Sequence, residues 1–183
     1  MSPAFTEKLL YTSQMKLPEK FIDEMIQHVD NDTLFHSAIN TDEIKKDFRS
    51  SKNGWIHWDQ WIAGIIHNMM VSANKDYFHY DLDHFDAPIQ STVYDEGDHY
   101  DWHTDCAVPT NAGKERKLSV SLLLNDDYEG GELELSFANF KEVLKPEAGT
   151  AIIFPSWLPH RVLPVTKGRR ISLVAWMNGP QWK

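Results

Sequence analysis

The sequence predicts a mainly β protein with N-terminal helices: a sandwich or jelly roll with the helices packed on the larger sheet. Three observations lead there. Residues 1–76 carry two stretches of helical periodicity. Residues 77–183 break into about eight short, β-rich segments. Turn residues separate those segments at regular spacing, as in a sandwich or jelly roll. The whole of 1–183 reads as one domain, with 1–76 as its helical part and 77–183 as its jelly-roll core.

The first helix is expected over residues 18–30. Phe21, Ile22, Met25, Ile26 and Val29 repeat on one face, and Pro18 suits a first helical turn. A second is expected over about 59–74, with Trp61, Ile62, Ile65, Ile66, Met69 and Met70 as its apolar residues and Asp59 as its cap. Asn53-Gly54 reads as a turn in the polar connection between them. Trp55, Trp58 and Trp61, spaced by three, read as one helix face packed in the core.

In the second part, Phe78, Tyr80 and Leu82 alternate with His79, Asp81 and Asp83, the period of a strand. Segments 90–94 and 100–104 follow on either side of Asp95-Glu96-Gly97-Asp98. Segment 118–124 ends at Asn125-Asp126-Asp127, and Gly130-Gly131 opens 132–137. Val143-Leu144 is short, 150–154 stops at Pro155, and 161–165 and 170–176 finish the set. Residues 81–89 and 106–115 are irregular and polar, which makes them candidate substrate lids at the open end of the barrel.

A net charge of -9 counts against broad binding to nucleic acid or to an anionic membrane, so neither partner is expected. Cys106 is the one cysteine, which excludes an intrachain disulfide and fits a reducing compartment. Residues 1–10 lack the basic segment and apolar stretch of a secretory signal. No run approaches the ~18 apolar residues of a membrane span. The expected location is cytoplasmic.

The chemistry centres on Tyr100-Asp101-Trp102-His103-Thr104-Asp105. On a strand, residues i and i+2 share a face, so His103 and Asp105 aim at one point while Trp102 and Thr104 turn away. His160, between two β-rich segments, is the best third ligand. Two histidines and a carboxylate on one face of a metal leave adjacent positions open, the arrangement of non-haem Fe(II) oxygenases. Zinc on three protein ligands would instead suit hydrolysis. Arg170 follows the turn at Gly168 and can return toward the metal, with Arg169 facing away. A guanidinium clamps a carboxylate through two parallel hydrogen bonds, which lysine cannot do. Ser172 shares the face of Arg170. Cys106 reads as a packed small residue.

The ordered set His103-x-Asp105, His160, Arg170 resembles the 2-oxoglutarate/Fe(II) oxygenase superfamily. More closely, it is similar to the prolyl-4-hydroxylase-like branch and the small PKHD-type hydroxylases. The flanking matches are Tyr94...Gly97...Tyr100-x-x-His103, the strand 116–125 before Gly130-Gly131-Glu132-Leu133, Gly149-Thr150-Ala151 before Pro155, and Pro164-Val165-Thr166-x-Gly168-x-Arg170 ending near Trp176. Together they cover residues 89–178.

The resemblance implies that the jelly roll is a double-stranded β-helix (cupin-like), and it implies catalytic roles for His103, Asp105, His160 and Arg170, with the first three holding iron. It implies Fe(II) as cofactor and 2-oxoglutarate and O2 as co-substrates. A peptidyl, prolyl-like or small-molecule substrate would be hydroxylated, with release of succinate and CO2. Arg170 would bind the distal carboxylate of 2-oxoglutarate, Tyr94 would donate its hydroxyl to the same molecule, and Ser172 would assist. Leu123 stands where some relatives carry a tyrosine that contacts that carboxylate. Two rival classes share part of the pattern: a non-catalytic jelly-roll module that binds or senses a metal, and a metal-dependent hydrolase. Arg170 beside an intact triad favours the oxygenase.

Overall fold

The computed structural model of the chain describes residues 9–14, 16–36, 48–106 and 113–182. The strands are β1 (Tyr11–Thr12), β2 (Phe35–His36), β3 (Arg49–Ser50), β4 (Lys52–Ile56), β5 (Ile89–Tyr94), β6 (His99–His103), β7 (Lys114–Leu123), β8 (Glu129–Gly130), β9 (Leu133–Phe137), β10 (Phe140–Leu144), β11 (Ala151–Pro155), β12 (His160–Val162), β13 (Val165–Lys167) and β14 (Arg170–Pro180). Among the described residues a larger sheet runs β1-β11-β7-β14-β5-β4-β2 and a smaller one β10-β9-β12-β6-β3, while β13 and β8 pair separately. This is the two-sheet jelly roll expected from the sequence.

Strand alternation sorts the two faces of the larger sheet. On β14, Ile171, Leu173, Ala175 and Met177 enter the main core, while Arg170, Ser172, Val174 and Trp176 line a cavity between the sheets. Helices α1 (Glu19–Asn31) and α2 (Trp61–Ala73) cover the apolar face. They contribute Ile22, Met25 and Val29 from α1 and Ile62, Ile66 and Met70 from α2. Each such side chain, fully buried, contributes about 1.5–3 kcal/mol. A smaller core between the sheets holds Leu133, Leu135, Phe154, Leu158 and Val162.

Several local expectations are overturned. The N-terminal part is not only helical: it adds β1, β2 and β4 to the larger sheet and β3 to the smaller. Asn53-Gly54 is not a turn but the middle of β4. A Cβ on Gly54 would collide with Asp32 Oδ2 and come within 2.7 Å of Ser91 Oγ, so the glycine marks close packing within the sheet. Trp55, Trp58 and Trp61 do not form a buried helix face. They lie on β4, in the following turn and at the start of α2, and are 51%, 50% and 43% exposed. Asp59 does not cap α2; the capping position is Gln60, and Asp59 faces His57 at 3.3 Å.

Residues 78–82 form no strand. α2 runs into a π-helical turn, Asn74–Phe78, which His79 closes at φ 58°. The Asn74 amide holds Tyr80 through both backbone groups, at 2.8 and 2.9 Å. The apolar alternation there reflects packing against the core without a strand ladder. The expected strand over 161–165 is split at Pro164, whose carbonyl accepts from Gly131 N at 3.0 Å. Segment 81–89 lies along β14. Asp83 N donates to Asn178 O, Asn178 N to His84 O and Asp86 N to Trp176 O, at 2.8–3.0 Å. Most of the other lid candidate, residues 107–112, lies outside the described residues. No helix among the described residues is long and apolar enough to cross a membrane.

Candidate metal centre and cavity

β6 and β12 are neighbours, with His103 directly opposite His160. The register then shifts so that Val162 faces Tyr100. β6 therefore carries one residue more than β12 between these two pairs, which is a bulge. The bulge brings Tyr100 and His103 to the same side, where their rings stack 3.5 Å apart at 15°. Asp105 lies just beyond the end of β6. Its N–H donates to Ser156 O at 2.9 Å, and that of Cys106 to the same oxygen at 3.1 Å. The turn after β11 thus fixes the carboxylate.

The three expected ligands converge. Ligand atoms of His103, Asp105 and His160 lie within 4.8 Å of one another. His103 Nε2 is 3.8 Å from Asp105 Oδ1, and His160 Nε2 is 3.5 Å from Asp105 Oδ2. The other nitrogen of each ring meets a backbone carbonyl: His103 Nδ1 with Asp101 O at 2.8 Å, His160 Nδ1 with Leu158 O at 2.9 Å. A carbonyl only accepts, so Nδ1 of each ring donates to it, and Nε2 is the nitrogen that faces Asp105. Burial, and then the facing His160 ring, lower the His103 pKa to about 4. Burial alone would push Asp105 up, but the two imidazoles and the Ser119 hydroxyl outweigh it and hold the carboxyl below its ordinary value. The lowered pKa of His103 and the lowered pKa of Asp105 favour the neutral imidazole and the ionised carboxylate, the forms in which these groups bind a divalent ion.

Ser119 on β7 was not singled out by the sequence. Its hydroxyl donates to Asp105 Oδ2 at 2.7 Å and lies 2.9 Å from Ser156 Oγ, all within the buried interior. Such a contact orients a ligand. Ser119→Ala is expected to weaken metal binding by roughly 10–100-fold in competition with a chelator. A drop in melting temperature with unchanged metal affinity would show that Ser119 only packs.

The cavity between the sheets measures about 300 Å3. Arg170 enters it from β14 and is 3% exposed. Its Nη1 donates to Ser172 Oγ at 2.8 Å, whereas its Nε is buried with no hydrogen-bond partner among the described residues. No carboxylate among the described residues pairs with it. The guanidinium also donates to the Tyr128 hydroxyl, but a buried cation without a counter-anion is costly, and it keeps donors for one. Gly131, at φ +66°, leaves room for the arginine stem: a Cβ there would lie 3.1 Å from Arg170 Cδ. Tyr94 faces Arg170 across the β5–β14 ladder, its ring 5.4 Å from the guanidinium carbon. Burial raises the Tyr94 pKa, so its hydroxyl stays protonated and able to donate. Leu123 sits opposite Ser172 on β7 and brings no hydroxyl. Arg169 points outward to Asp30 at 2.7 Å, as alternation required.

Other residues of the site were missed. Tyr100 appeared only as part of a motif, and its role as a stacking partner of His103 depends on the bulge. Arg116 stacks over Trp176 at 4.0 Å and pairs with Asp86 at 2.7 Å at the cavity wall. Arg49 and Asn53 line the same cavity. They stand in an unbroken polar run, Arg49-Ser50-Ser51-Lys52-Asn53, which carries no strand alternation, and Asn53-Gly54 reads as a turn. Cys106 is half-buried, its Sγ 3.7 Å from Thr104 Oγ1, in keeping with a packed small residue.

A jelly roll whose inner face gathers two histidines, one aspartate and an inward arginine defines a cupin-like protein of the two-histidine, one-carboxylate class. The model of the 2OG-Fe(II) oxygenase superfamily matches residues 89–178 of the chain. A PKHD-type hydroxylase of Alteromonas mediterranea is 37% identical over 91 residues, which cover 46% of this chain and 40% of that protein. The chain therefore spans less than half the length of this curated relative. Two solved structures share the fold. A Pseudomonas putida prolyl-4-hydroxylase matches with a TM-score of 0.75 at 20% identity, covering 97% of this chain and 96% of that one. A Trichoplax adhaerens prolyl hydroxylase, solved with a hypoxia inducible factor peptide fragment, matches with a TM-score of 0.77 at 19% identity, covering 94% and 84%.

Proposed function

We propose that the chain is an Fe(II)- and 2-oxoglutarate-dependent dioxygenase, working as one domain over residues 1–183. It hydroxylates an unactivated C–H of a peptidyl, prolyl-like or small-molecule substrate. The observation that carries this reading is Arg170: a buried guanidinium, without a carboxylate partner among the described residues, in the same cavity as His103, Asp105 and His160.

His103, Asp105 and His160 would hold Fe(II), since their ligand atoms converge within 4.8 Å of one another. Fe(II), when bound together with 2-oxoglutarate and O2, would supply the oxidative chemistry that yields hydroxylated substrate, succinate and CO2. Arg170 receives the distal carboxylate of 2-oxoglutarate. Ser172, already bonded to Arg170, steadies the guanidinium. Tyr94 offers its hydroxyl to the same co-substrate. The buried surroundings of Arg170 and Asp105 keep water away and strengthen both contacts. A hydrolase or a metal sensor has no need of this arginine. A cytoplasmic setting goes with the reading, because Fe(II) and the free Cys106 thiol both persist under reducing conditions.

Anaerobic titration with Fe(II) and then 2-oxoglutarate is expected to develop the visible charge-transfer band of a chelated 2-oxo acid. Admission of O2 should then release succinate. Metal binding without that band would overturn the oxygenase reading and favour a hydrolase or a sensing module.

A further inference from the structure

The cavity holds another arginine that the chemistry above leaves without a task. Arg49 stands on β3, at the edge of the smaller sheet. The chain then crosses through buried Ser51 into β4 of the larger sheet, so Arg49 spans the gap between the layers. Its guanidinium carbon lies 4.4 Å from the centre of the Tyr100 ring, the ring that stacks on His103. Nε donates to Ser51 Oγ and Nη2 to Asn53 Oδ1, each at 3.1 Å. Both acceptors are neutral. Among the described residues no carboxylate pairs with Arg49. Of the five N–H donors of a guanidinium, these bonds use two, which leaves a fork for a further acceptor.

Arg116 provides the contrast. It lines the same cavity, but Asp86 neutralises it at 2.7 Å. Among the described lining residues Asp105 is the single carboxylate, and it serves the metal. The cavity is therefore cationic in a protein whose net charge is -9. A concave site of that sign concentrates anions. The buried Arg170 takes one anion, the co-substrate. Arg49 is half-buried, nearer solvent, and remains for a second.

We propose that Arg49 receives a carboxylate of the substrate, so that the preferred substrate is an acid. The inference rests on the oxygenase reading of the same site. The carboxylate belongs to a free amino or organic acid or to a short peptide, and the test separates these sources.

Two ligand sets are compared, free L-amino acids with short dicarboxylic acids, and prolyl tripeptides with a free C-terminus or an acidic side chain. Each is matched to the corresponding amides. One readout is the anaerobic melting temperature of the protein loaded with Fe(II) and 2-oxoglutarate, which rises with any ligand that binds the native state. The other is succinate release above the substrate-free background. The acid forms of one set are expected to raise both, and their amides neither. The responding set identifies the source. Arg49→Gln should raise the half-saturating concentration on the order of ten- to a hundredfold. Arg49→Lys, which keeps the charge but not the fork, should raise it less. The Fe(II)·2-oxoglutarate band is recorded on every variant. Its absence from the native protein would fail the oxygenase reading itself. With the band present, equal responses to acid and amide, no response to either, or native-like behaviour of Arg49→Gln would each overturn the assignment of Arg49.

Discussion

Replacement of His160 by alanine is expected to abolish both the Fe(II)·2-oxoglutarate band and succinate release. His160 Nε2 is one of the three proposed donors, and alanine removes the imidazole that carries it. Loss of a donor should weaken metal binding beyond the roughly 10–100-fold that follows loss of a supporting hydrogen bond. Metal affinity by chelator competition is the direct measure. The rise in melting temperature that Fe(II) confers on the native protein should vanish with it. The imidazole also packs against Phe154 at 4.8 Å, so the metal-free melting temperature must be recorded alongside. A variant that keeps the band would remove His160 from the metal centre.

The second large effect concerns Arg170. Arg170→Ala should raise the half-saturating concentration of 2-oxoglutarate by about a hundredfold, the equivalent of ~3 kcal/mol for a charged hydrogen-bonded pair. It should also erase the preference for 2-oxoglutarate over a 2-oxo acid with no distal carboxylate, such as 2-oxobutyrate. A merely structural role for Arg170 would leave that preference in place. Arg170→Lys keeps the charge but loses the parallel pair of bonds, and should fall between. Stability should move the other way. The native protein buries this cation without a carboxylate partner among the described residues, which is unfavourable until an anion arrives. Arg170→Met should therefore melt no lower than the native protein in the absence of ligand, while losing the ligand-induced rise. Unchanged co-substrate dependence in these variants would detach Arg170 from 2-oxoglutarate.

Much of this site was legible in the sequence because its logic is local. Arg170 and Ser172 are two residues apart on β14 and converge on one side; His103 and Asp105 share that spacing and also converge, although Asp105 lies beyond the end of β6. The Gly168 turn and the outward Arg169 followed from the same rule, and Arg170 and Ser172 are hydrogen-bonded. The first helix, expected over 18–30, is Glu19–Asn31, because its apolar period matches the face it buries. Local signals failed where packing had a different use for the same residues. Gly54 resembles a turn residue, yet it is small because Asp32 and Ser91 crowd β4. The alternation of Phe78, Tyr80 and Leu82 imitates a strand, yet Asn74 captures the Tyr80 backbone first. Three tryptophans at a spacing of three suggest a helix, yet they fall on a strand, a turn and a helix start.

By itself the sequence determined the periodicities, the sidedness of residues two apart, and the order in which ligands and arginine occur along the chain. The tertiary structure alone decided which distant strands meet, and in what register. The bulge that lays Tyr100 on His103 exists only because β6 is longer than β12 between their paired residues. Asp105 owes its position to a carbonyl on the turn after β11, and its carboxylate to a hydroxyl from β7. Arg49 reaches the cavity because the chain changes sheets at Ser51. The physical reason is common to all three. Periodicity records which way a side chain faces along its own strand, whereas the partner it meets is set by hydrogen-bond register between strands far apart in the chain, which no local pattern encodes.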